Sequence, residues 1–118
     1  MAVVTTHLLN AIVGTHAGGV GISLLRIEAS GARSIVFERE TDPGGRLSAT
    51  VEIAQGHIEA DYELVFQTGR YFDTQGLPKP VRQCVREIVI RFSMPDPVGS
   101  YHIPLMISPN SYSVWWSG

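Results

Sequence analysis

Cysteine is almost missing from this chain: Cys84 is the single one in 118 residues. One cysteine excludes an intrachain disulfide and any Cys/His cluster with zinc spacing. It fits a reducing, cytoplasmic setting. Lysine is equally scarce, with Lys79 against eight arginines. Charge of either sign is sparse, at 17% of residues and a formal net of −2. That balance offers no basic surface for nucleic acid or anionic membrane. No apolar run is long enough to cross a bilayer. The segment Met1 to Asn10 lacks the positive-then-apolar order of a signal peptide. What remains is a hydrophobic fraction of 44%, enough for a globular core and too much for a disordered chain. The length fits one domain over 1–118, able to bury its core without staples.

Short β-like runs recur between Gly, Pro, Asp and Ser punctuation. Val3 to Leu9 is the first expected strand, and Gly14 to Gly19 follows as a loop. Val20 to Glu28 and Ala32 to Glu40 come next, the latter ending in the strong turn Thr41-Asp42-Pro43-Gly44-Gly45. Leu47 to Glu52 is a short fourth strand. Tyr62, Leu64 and Phe66 then alternate with Glu63, Val65 and Gln67. Ile88, Ile90 and Phe92 alternate with Val89 and Arg91. Tyr101 to Ile107 and Tyr112 to Trp116 alternate in the same way. About eight strands at roughly ten-residue spacing predict an all-β sandwich or barrel. Thr68 to Gly76 has no period of two and reads as a short helix ending at Gly76. Pro78 and Pro80 forbid regular structure after it. Val81 to Arg86 is open between a helical turn and an early strand start.

Polar residues on apolar strands carry the chemical information. His7 follows Thr5-Thr6 in the first strand. His102 has apolar same-face neighbours, Pro104 and Met106. Arg46 opens a strand directly after a Gly-Gly turn. Taken singly, each has an ordinary reading: a strand histidine is more often structural or solvated, and an arginine after a turn is usually solvated. His16 and His57 lie in loop-like contexts and take the ordinary reading.

Taken together, these residues form a pattern. Thr5-Thr6-His7-Leu8-Leu9-Asn10 with Gly14 resembles the opening motif of the transthyretin-like 5-hydroxyisourate hydrolases. Thr41-Asp42-Pro43-Gly44-Gly45-Arg46 resembles their turn before a functional arginine. Tyr62 to Phe66, then Thr68-Gly69-Arg70-Tyr71-Phe72, resembles their strand-then-helix segment. Tyr101 to Pro109, followed by Tyr112-Ser113, resembles their closing signature. The matches run in family order along the whole chain, with a longer connection over Leu77 to Arg86. The resemblance implies a sandwich of two four-stranded sheets with one short helix. It implies a homotetramer, a dimer of dimers, with sites in a channel between copies. It also implies hydrolysis of a cyclic amide in urate breakdown, a part of purine metabolism, with no metal and no cofactor. The resemblance makes His7, Arg46 and His102 the expected catalytic positions, and Ser108, Ser113, Trp115 and Trp116 the expected substrate contacts. An imidazole can take a proton from water, and an imidazolium can return one to the leaving nitrogen. A guanidinium can bind the heterocycle and stabilise developing negative charge. Which histidine is the base stays open.

The tail departs from the pattern. Those hydrolases end Tyr-Arg-Gly-Ser, and this chain ends Trp115-Trp116-Ser117-Gly118. Two indoles, each with one N–H donor, stand in place of a phenol and a guanidinium. They read either as packing or as a channel lined for a flatter, more apolar ligand. Asn10 stands where aspartate is common. Three functions follow: the hydrolase itself, a family enzyme working on another heterocycle, or an aromatic-ligand carrier without chemistry.

Overall fold

A computed structural model describes residues 1–78, 80 and 82–117. The alternation at the start of the chain folds as β1 (Ala2–Asn10), in which Ala2, Val4, Thr6, Leu8 and Asn10 are buried. Its odd positions, Thr5 and His7 among them, face outward. β2 (Thr15–His16) returns along the end of β1, with Leu9 opposite His16 and Asn10 opposite Thr15. The expected loop over Gly14 to Gly19 therefore holds a two-residue strand. Its period was too short to read, and its pairing partner lies in β1.

β3 (Gly21–Ile27) and β4 (Arg33–Glu40) form an antiparallel pair. β5 (Arg46–Val51) then lies antiparallel along β1 from Ala2↔Val51 to His7↔Arg46. A 3-10 turn over Gln55–His57 precedes β6 (Asp61–Phe66). Helix α1 (Thr68–Asp73) follows, with Tyr71 and Phe72 buried. It stops three residues short of Gly76. The described residues of 82–86 are neither helix nor strand, and Val81 lies outside the described residues. β7 (Ile88–Ser93) then pairs with β6.

β8 (Ser100–His102) and β9 (Leu105–Ser108) run parallel to β1 in one continuous register. The expected strand Tyr101 to Ile107 is thus broken at Ile103 and Pro104, where proline supplies no N–H to the ladder. Ile103 remains tied to β1: its N–H donates to the Thr5 carbonyl at 2.9 Å, and its carbonyl accepts from the Thr6 hydroxyl at 2.6 Å. β10 (Ser111–Val114) closes the sheet against β9. The line continues loosely to an isolated bridge between Ser117 and His102.

The result is an all-β sandwich. One sheet runs β10-β9-β1-β2, with β5 and β8 also on β1; the other runs β4-β3-β6-β7. Leu8, Leu24, Leu64, Phe66, Phe72 and Leu105 fill the space between them and are essentially inaccessible. Each such side chain stabilises by about 1.5–3 kcal/mol. This core holds β1 rigidly and leaves its outward face to carry polar groups.

Candidate active site

Arg46 is placed by its turn. Gly45 has φ of 74°, which favours glycine. A Cβ there would run into the Leu8 carbonyl oxygen. The bare backbone lets the turn close on β1, where Leu8 N–H donates to the Gly45 carbonyl at 2.8 Å. Asp42 holds the other side: its Oδ1 accepts from the Arg46 N–H at 2.9 Å. Asp42 N–H in turn donates to the Arg46 carbonyl at 2.8 Å. Arg46 therefore sits directly opposite His7 on the outward face.

His102 reaches the same face from the other side of β1, opposite Thr5. Its Nδ1 lies 2.8 Å from the Thr5 hydroxyl. Nε2 of His102 has no hydrogen-bond partner among the described residues. An open cleft of about 470 Å³ is lined by Thr5, Asp42, Arg46, Ser48 and His102, with Thr6 and Leu47 at its floor. The guanidinium of Arg46 forms no ion pair with any described residue. A cation with its backbone fixed and its charge unpaired is available to an anionic or polar ligand.

His7 has a different setting. Its Nε2 is 3.0 Å from Nδ1 of His16, and the two rings lie 5.1 Å apart between centroids. Its pKa is lowered. Desolvation is the main cause, then the positive charges of Arg46 and His16, with the Gly44 backbone acting in the opposite direction. His7 is thus biased toward the neutral imidazole at neutral pH.

The fold brings His7, Arg46 and His102 to one outward face. It adds three residues that sequence reasoning passed over: Thr5, Asp42 and His16. Thr5 was legible, since it lies two residues before His7 and shares its face. His16 was not, because a two-residue strand is too short to show a period. Ser108, Ser113, Trp115 and Trp116 lie elsewhere in the protomer. Ser108 bonds within the β9–β10 turn, its Oγ 2.6 Å from that of Ser111. Ser113 pairs with Met106 at the sheet edge. The two indoles are exposed and line a second cleft with Ile90, Phe92, Ile103 and Val114, between β7 and the end of the chain. Gly118 lies outside the described residues. Among the described residues no group of three His, Cys, Asp or Glu side chains is placed to hold a metal ion. No described helix is long and apolar enough to cross a membrane.

Residues 4–116 match the HIUase/Transthyretin family. The chain is 37% identical over 111 residues to the 5-hydroxyisourate hydrolase of Mesorhizobium japonicum, covering 94% of this chain and 88% of that one. It is 34% identical over 111 residues to 5-hydroxyisourate hydrolase 2 of Rhizobium meliloti, covering 94% and 92%. The solved 5-hydroxyisourate hydrolase of Klebsiella pneumoniae superposes with a TM-score of 0.74 at 28% identity, covering 98% of this chain and 99% of that one.

Proposed function

We infer that this chain, which belongs to the HIUase/Transthyretin family, is a hydrolase of the 5-hydroxyisourate type, opening a cyclic amide C–N bond with water. The observation that carries this reading is the unpaired guanidinium of Arg46 in one cleft with His102, next to His7 across the strand pair. The reaction needs a carbonyl polarised, a water activated and a nitrogen protonated. Arg46 binds the heterocycle and stabilises negative charge developing on the carbonyl oxygen. His102 is the proton-transfer group that lines the cleft. With Nδ1 donating to the Thr5 hydroxyl, its Nε2 presents a lone pair to a water. The imidazolium so formed returns the proton to the leaving nitrogen. His7 completes the polar wall as a neutral ring.

In this reading the enzyme works without metal or cofactor, in the cytoplasm, as a homotetramer built as a dimer of dimers. Assembly sets one copy's outward face against another's. Ser108, Ser113, Trp115 and Trp116, which lie outside the cleft of a single protomer, become substrate contacts through that assembly. The test is direct: 5-hydroxyisourate is generated in situ and its decay followed by absorbance. The protein is expected to speed that decay well above the spontaneous rate, and an unchanged rate defeats the reading.

A further inference from the structure

His16, paired with His7 on this face, has no part in the reaction above. Two imidazole nitrogens at 3.0 Å share one proton, because each needs the other to be its opposite in the bond. Nε2 of His7 is turned to His16, so Nδ1 is the nitrogen left to meet the Gly44 backbone. That backbone contact raises the basicity of the ring, as a carbonyl accepting from the imidazole does. A carbonyl only accepts, so this contact favours the Nδ1–H tautomer of neutral His7. Its Nε2 is then a lone pair, and the proton in the contact belongs to Nδ1 of His16.

We propose that His16 is a positioning residue of this site, locking neutral His7 as the Nδ1–H tautomer by donating its own Nδ1–H to His7 Nε2. The assignment rests on the hydrolase reading for its catalytic consequence, but the geometry stands apart from it. β2 exists to present His16: Ala17 N–H donates to the Leu8 carbonyl at 2.9 Å. The Thr41 hydroxyl holds the next turn by donating to the Ala17 carbonyl at 2.8 Å. The lock divides labour between the two site histidines. Nε2 of His102 is open to water, and Nε2 of His7 is occupied. A proton entering the pair goes to His16 Nε2 from solvent, while the Nδ1 proton of His16 passes to His7 Nε2; each ring keeps its valence and the pair gains one charge. The groups facing His7 are Arg46 on β5, His16 on β2, His102 on β8 and the Gly44 carbonyl of the turn. Three of the four, Arg46, His16 and His102, oppose a positive charge on His7.

The experiment is nitrogen-15 NMR of the histidine side chains across pH 5 to 8 in the full protein, for wild type, His16→Ala and His16→Asn. In wild type, His7 is expected to show a pyrrole-type Nδ1 and a pyridine-type Nε2. In His16→Ala the Nε2–H form should appear, and the midpoint of His7 should move up toward the ordinary value of about 6.5. Asparagine places an amide N–H near the position of Nδ1 and should restore the wild-type tautomer. An unchanged His7 spectrum in His16→Ala overturns the proposal, and so does failure of asparagine to restore it. In turnover of 5-hydroxyisourate, His16→Ala should lose roughly tenfold in kcat/KM with its acid limb moved to higher pH. His16→Asn should retain the wild-type limb. If wild type turns over none of that substrate, the functional reading falls, and the NMR result still decides the role of His16.

Discussion

The outward faces of the two sheets both carry charge, and they use it in opposite ways. On the β4-β3-β6-β7 sheet, Glu63 projects from β6 between two arginines. Arg33 Nε lies 2.8 Å from one carboxylate oxygen and an Arg91 nitrogen 3.2 Å from the other. The cluster is closed, and the carboxylate is covered by its partners. On the other sheet, Arg46, His102 and His7 share a face with no carboxylate paired to any of them among the described residues. The one acid at that cleft, Asp42, uses its Oδ1 to hold the Arg46 backbone. Closed charge holds a sheet together; open charge is left for a ligand. The contrast separates a closed cluster from the open one proposed to act on a ligand.

The sharpest way to break the contrast is to remove the open cluster and look for a stability loss. His102→Ala should reduce kcat by about 10²- to 10⁴-fold, with a melting temperature close to wild type by calorimetry. A large drop in melting temperature would mean that His102 is structural. Arg46→Ala should lower kcat/KM by about 10²- to 10³-fold, since its guanidinium has no ion-pair partner among the described residues to leave stranded. Arg46→Lys should recover only part of that loss. An ammonium keeps the charge but lacks the planar fork that binds a heterocycle through two parallel N–H groups.

The sequence made the open cluster easier to find than the closed one. His7, Arg46 and His102 are polar positions on largely apolar strands, and the resemblance to the hydrolases groups them. Glu63 interrupts nothing, because it occupies a position where a polar residue is expected. Its partners Arg33 and Arg91 come from strands whose order no local pattern reveals. The same limit explains His16, which depends on a two-residue pairing. It also explains the break at Pro104, where ladder bonds yield to a missing N–H while the register carries through. The Trp115–Trp116 pair shows a second kind of limit. The strand ends at Val114 and only an isolated bridge at Ser117 continues the line, so alternation past Val114 no longer says what the indoles touch.

The closed cluster should respond to acid in a defined sense. The Glu63 carboxyl is held below the usual carboxylate range, first by its hydrogen bond from Arg33 and then by Arg91, against desolvation. Its folded pKa is therefore lower than its unfolded one. Its contribution to stability is full above the unfolded value of about 4.3 and is lost as pH falls through the folded value. Glu63→Gln should cost about 1–3 kcal/mol at neutral pH. The difference from wild type should shrink below pH 4 in urea titrations, with turnover at neutral pH unchanged. A gap that persists at pH 2 would show that packing rather than charge made the difference.

The smallest expected effect tests whether the open cluster has internal order of its own. Thr5→Val keeps the β-branched shape and removes the hydroxyl 2.8 Å from His102 Nδ1. A hydrogen bond of this kind contributes about 0.5–1.5 kcal/mol, so kcat should fall by roughly two- to tenfold. β1 itself should hold, because branching at Cβ suits the strand. The diagnostic lies in the pH profile. In the proposed mechanism the Thr5 hydroxyl accepts from His102 Nδ1–H, and Nε2 is left as an acceptor. Without it both tautomers become accessible, and part of the population presents N–H to the water that should be activated. The loss should therefore appear in kcat with little change in KM. A loss confined to KM would instead place Thr5 on the substrate, and His102 would then owe its orientation to the strand alone.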